Sequence, residues 1–141
     1  MAEIEALIEA QELRFMQSWM HRDATAIRDI AARDFMMMVG SSPPELLDRP
    51  SFLAATADGF RCIGFRLGQS FVRRHGRCAW YVAGARLELE LGRIEWSGDF
   101  MLTGLWRKSR FQGWKLAEHS IAPSAKDGRF SETVRSMQLW T

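Results

Sequence analysis

The chain has 141 residues, 47% of them apolar, with 19 Lys and Arg against 17 Asp and Glu. That length suits one domain, 1–141, able to bury about two-thirds of its unfolded surface. A net charge of +2 argues against a nucleic-acid partner, and two cysteines, Cys62 and Cys78, are too few for a disulfide framework or a zinc cluster.

The opening Met1-Ala2-Glu3-Ile4-Glu5 is acidic and lacks the basic stretch and apolar run of a secretion signal. No apolar run approaches the ~18 residues of a membrane span. A cytoplasmic protein with free thiols and no membrane contact is expected.

Ile4, Leu7, Ile8, Gln11, Phe15 and Trp19 recur at spacings of three and four. Leu13, Met16 and Met20 widen that stripe. The pattern predicts an amphipathic helix from about Ala2 to His21, buried on a broad face. Asp23 is placed to cap a short helix from Ala24 to about Ala32, with Ile27 and Ile30 inward. Phe35-Met36-Met37-Met38-Val39 reads as a buried strand ending at Gly40, and Ser41 to Pro44 as a loop. Asp48 caps a third helix with Pro50 in its first turn, where a missing N–H costs nothing. Gly59 ends it.

From Phe60 the period becomes two. Four strands are predicted, over Phe60–Arg74, Cys78–Leu91, Ile94–Lys108 and Trp114–Ile121. His75-Gly76-Arg77, Gly92-Arg93 and Ser109 to Gly113 separate them as hairpin turns. Strands of this length twist and curl into a concavity that helices can close. The fold class is α+β: a cone-shaped, curved antiparallel sheet closed by three N-terminal helices. Residues 1–122 form that core and residues 123–141 a tail. In the tail, Ala125 to Gly128 is loop-like, and Ser131 caps a short helix carrying Val134, Met137 and Trp140.

The order resembles the nuclear transport factor 2-like superfamily, above all its small SnoaL-like bacterial members. The resemblance spans about Glu3 to Ser120. It is carried by Asp23 with Ile27, Ile30 and Arg33-Asp34-Phe35, and by Asp48-Arg49-Pro50-Ser51-Phe52-Leu53. The most telling part is the last hairpin: Leu105-Trp106-Arg107, then Gly113-Trp114-Lys115, then His119-Ser120. The resemblance implies a homodimer formed through the sheet and a pocket between sheet and helices. It does not imply one activity. A ketosteroid isomerase base would fall near Met38 or Val39, and the oxyanion acid near Thr103 to Leu105. None of these carries a carboxyl, so that mechanism is disfavoured.

Candidate site residues follow. Glu118 and His119 are adjacent on a strand and point to opposite faces. Glu118 shares a face with Trp114 and Leu116, so it is expected to point inward as an acid or base, unless it pairs with an arginine. His119 is the other candidate proton carrier. Arg86, mid-strand between Ala85 and Leu87, either lies on the solvent face or turns inward toward Glu118 or an acidic ligand. Trp80 and Trp106 lie on neighbouring strands. A three-residue turn at Gly92-Arg93 puts them on one face, and a two-residue turn separates them. Trp19, Phe15, Phe35 and Phe52 either line the opposite wall or are plain core. Six Trp, nine Phe and eight Met suit a pocket for an apolar or aromatic small molecule. Dispersed histidines argue against a metal, and no cofactor motif is present. The leading expectation is small-molecule binding. The rivals are a lyase, isomerase or cyclase using Glu118 or His119, and a homodimeric interaction module without a working pocket.

Overall fold

Helix α1 spans Ala2–Met20 and buries Ile8, Phe15, Met16 and Trp19, one stripe at helical spacing. The computed structural model describes residues 2–124 and 128–140. Leu7 and Leu13, on the flanks of the predicted stripe, are 46% and 41% exposed, so the buried face is narrower than expected.

Helix α2 spans Ala24–Ile30, and the Asp23 carboxylate accepts the Ala26 N–H at 3.1 Å, as a cap should. The chain turns extended at Ala31, earlier than the apolar run suggests, and strand β1 spans Ala31–Val39. Its first residues pair in parallel with β6, and tertiary pairing there overrides helical propensity. A short strand β2, Glu45–Asp48, was not expected and pairs antiparallel with β1. Helix α3, Arg49–Ala57, starts with the Asp48 carboxylate accepting the Ser51 N–H at 2.9 Å and Pro50 in its first turn. Gly59 follows it at φ 113°, where a side chain would be strained.

Strands β3 (Phe60–His75), β4 (Cys78–Leu91), β5 (Ile94–Lys108) and β6 (Trp114–Pro123) form the meander. Gly76-Arg77 and Gly92-Arg93 are two-residue turns, with His75 opposite Cys78 and Leu91 opposite Ile94. The six strands run in the order β2-β1-β6-β5-β4-β3, with only β1 and β6 parallel. Register shifts interrupt β3 after Cys62 and Leu67, β1 after Ala31, and the β5–β6 pair at Leu105/Trp106. Such bulges add twist and bend, and here they accompany a sheet that curls over α1.

Helix α4 spans Gly128–Ser136 and buries no residue. Ser131 therefore lies inside this helix and does not cap it, and Met137 and Trp140 lie beyond its end. The loop expected at 125–127 lies outside the described residues. Among the described residues, no helix is long and apolar enough to cross a membrane.

Candidate functional site

The sheet has two faces, and the candidate residues divide between them. The concave face meets α1 and is filled. Phe15, Phe35 and Phe52 lie with ring centroids 5.8–6.1 Å apart, and Trp19 packs edge-on against Phe52 and Phe60. The Trp19 indole N–H donates to the Phe60 carbonyl at 3.1 Å, so its polar end is satisfied inside the core. These four aromatic residues are fully buried, which makes them core packing and not an open ligand wall.

A polar centre sits in that core. Glu12, one helical turn after Ile8 and one before Phe15, is fully buried. Its Oε1 accepts the Trp106 indole N–H at 3.0 Å, and its Oε2 lies 2.9 Å from His119 Nε2. A buried carboxylate requires such partners, because losing water costs several kcal/mol. His119 packs against Phe15 with centroids 4.9 Å apart. With Nε2 engaged by the carboxylate, Nδ1 is buried without a hydrogen-bond partner. Gly104 completes the centre, since a Cβ there would collide with Glu12 Oε1. Burial first, then the negative charge of Glu12 and Glu9, holds the Tyr81 hydroxyl above its ordinary range, so it stays protonated. Burial likewise pushes the Cys62 thiol up to about 12.

Glu12 escaped the sequence reading. The signal was present: a carboxylate four residues after Ile8 and three before Phe15 lies mid-stripe on the buried face. The residue read into that stripe was its neighbour, Gln11.

Glu118 corrects another expectation. It does not point inward but lies exposed on the opposite face of the sheet from His119. Strict alternation from Trp114 and Leu116 fails because Leu105 pairs with Glu118 while Trp106 pairs with Leu116, leaving Ala117 as an extra residue. Leu116 and Ala117 are both buried, and this bulge reverses the phase for everything after it. Arg86 is also on the free face. It pairs with Asp99 at 3.7 Å and not with Glu118. The two-residue Gly92-Arg93 turn separates the two tryptophans: Trp106 is buried, and Trp80 is exposed on the free face.

That free face carries its own hollow, of about 520 Å³, lined by Met36, Met38, Leu46, Trp80, Val82 and Leu105. Cross-strand register builds it. One row runs Leu46, Met38, Ser120, Thr103, Val82, Phe71, and the next runs Met36, Glu118, Leu105, Trp80. The Thr103 and Ser120 hydroxyls are hydrogen-bonded to each other, and with Glu118 they give the hollow its polar groups. Among the described residues, no group of three or more His, Cys, Asp or Glu stands together to hold a metal ion.

Comparison with known proteins places the fold. The family profile described as a SnoaL-like domain matches residues 8–125. The chain is similar in structure to an NTF2-like protein from Cytophaga hutchinsonii ATCC 33406, with TM-score 0.75 and 12% identity, covering 85% of this chain and 98% of that one. It is similar to an NTF2-like protein of unknown function in nutrient uptake from Rhodospirillum rubrum ATCC 11170, with TM-score 0.75 and 17% identity, covering 84% and 98%. A ketosteroid isomerase-like protein from Erwinia carotovora atroseptica SCRI1043 matches with TM-score 0.63 and 14% identity, covering 85% and 94%. No curated protein matches in sequence.

Proposed function

Because the chain belongs to the SnoaL-like domain family of the nuclear transport factor 2-like superfamily, we propose that it is a homodimeric binding module that docks sheet to sheet on a second copy of itself. One observation carries this reading. The concave face is already filled by side chains, while the free face leaves Leu46 60%, Phe71 63% and Trp80 42% exposed around an apolar hollow. An apolar surface of this kind gains roughly 25 cal/mol for each Å² removed from water. A self-complementary sheet face satisfies that through a symmetric contact in which each copy covers the other.

Sedimentation of the full chain and of the Met38→Glu/Trp80→Glu double variant tests this. The full chain should sediment as a dimer at tens of micromolar, and the variant as a folded monomer with unchanged circular dichroism. A monomeric full chain would sink the reading. An apolar or aromatic small molecule would take the same hollow. If such a molecule bound a monomer there, the face would be a ligand site and not an interface.

A second reading is proton-transfer catalysis at the buried pair. The free Nδ1 of His119, held in place by Glu12, favours it. An imidazole oriented by a carboxylate can take or give a proton at its other nitrogen. A hollow of about 450 Å³ between α1 and β3 includes Tyr81, which feels the Glu12 charge. The relative described as ketosteroid isomerase-like lends it context. Turnover of hydroxylated or polyketide-like aromatic substrates, lost in His119→Gln and kept in Glu118→Gln, is the outcome this reading requires.

A further inference from the structure

A separate hollow of about 530 Å³ shares no lining residue with the apolar one. It lies where α2, the start of β1, the start of α3 and the β5–β6 hairpin meet. Arg28, Arg33, Arg49, Arg107 and Lys115 line it, each from a different element, together with Asp29 and Asp34. Five cations face two carboxylates, an excess of three in a chain whose whole excess is two. The rest of the chain therefore sums to one net negative charge.

The two carboxylates are already occupied. Asp34 accepts two hydrogen bonds from the Arg107 guanidinium, at 2.7 and 3.3 Å. Asp29 pairs with Arg14 at 3.1 Å and with Lys115 at 3.5 Å, and the Lys115 ammonium also donates to the Asp29 carbonyl. The Arg14 hydrogen bond and the Lys115 charge lead in holding the Asp29 carboxyl below its ordinary range, and the Arg107 hydrogen bond leads for Asp34. Both stay ionised and bound to these partners near neutral pH.

Arg28, Arg33 and Arg49 are left without a carboxylate partner among the described residues. Arg49 is half-buried, and its Nη1 donates to the carbonyls of Arg28 at 3.4 Å and Ala31 at 3.3 Å. Carbonyls hold the guanidinium in place without cancelling its charge. A fixed, unneutralised guanidinium flanked by two more is the arrangement that recognises oxyanions, because the planar fork matches paired oxygens.

We infer that this cleft binds a small, multiply charged phosphate-bearing molecule. A charge excess of three favours a phosphate or pyrophosphate group over a single carboxylate. The lining includes no aromatic residue on which a base could stack, and the cations converge on one hollow and do not form a stripe. Both facts point to a small phosphate-bearing ligand and away from a nucleic-acid strand. The inference is independent of the sheet-face reading, because its lining shares no residue with the apolar hollow.

Calorimetric titration of the full chain with sodium pyrophosphate at low ionic strength tests it. Saturable binding at one site is expected, with affinity falling as sodium chloride is added. Arg28→Gln and Arg33→Gln alter exposed side chains, so both variants should keep the wild-type melting temperature. Each should lose about tenfold in affinity, the worth of one charge-assisted hydrogen bond. Arg93→Gln, in the β4–β5 turn, removes the same charge far from the cleft and should bind as the wild type does. Absence of saturable binding would overturn the inference. So would an equal loss in Arg93→Gln, which would mean the anion responds to net charge alone.

Discussion

His119 and Glu118 are neighbours in sequence, yet they inhabit opposite worlds. His119 lies on the concave face, fully buried, with its Nε2 on the Glu12 carboxylate. Glu118 lies on the free face, exposed, beside Met36 and Leu105. The concave face is packed with aromatic side chains around one hydrogen-bonded carboxylate. The free face is open and apolar, with a few unburied polar groups. The contrast teaches that the buried polar centre and the apolar hollow are set on opposite faces of one sheet. A single extra residue, Ala117, decides which side a functional group joins.

The two tryptophans offer the hardest test of that contrast. Trp106→Ala should cost about 3–5 kcal/mol in urea unfolding, because it opens a core cavity and strips a partner from Glu12. In the dissociated monomer, Trp80→Ala should cost under about 1 kcal/mol, as a half-exposed residue outside the core. Similar losses for both would break the distinction between the faces.

Gly104 sharpens it further. Gly104→Ala should cost about 1–3 kcal/mol, because the new methyl meets the Glu12 carboxylate. In a Glu12→Ala background, itself destabilised by about 3–5 kcal/mol, the same change should cost almost nothing. Additive losses in this double-mutant cycle would show that the collision is not what makes Gly104 necessary.

The smallest effect belongs to the charged cleft. Asp29 and Asp34 have carboxyls held below their usual 3.8 by cations. A depressed folded value adds stability that is fully present above the unfolded value and is lost as pH falls through the folded one. Both groups are well exposed, so solvent screening limits the effect to about 0.5 kcal/mol each. Asp29→Asn/Asp34→Asn should therefore lower stability slightly at pH 7 and leave it unchanged once the pH is low enough to protonate both carboxyls in the folded chain. A difference that persists in acid would mean packing, not charge, ties these residues down.

Much of this architecture was legible in the chain. The change of period at Phe60, the Asp23 and Asp48 caps, Pro50, and the glycine turns at Gly76 and Gly92 are signals spread over a few residues. Local sterics and hydrogen bonding produce them, so they survive being read without a fold. The motifs of the last hairpin pointed to the family for the same reason. Tertiary structure alone decided the rest. The β2 strand exists because β1 offers it an edge, and β1 begins at Ala31 because β6 lies parallel to it. Glu12 finds His119 across 107 residues; its place mid-stripe marks it as buried, but nothing local names its partner. The Ala117 bulge, which reverses every face assignment after it, is a feature of the β5–β6 pairing. Periodicity tells which residues share a face only while the register is unbroken, and that register belongs to the whole fold.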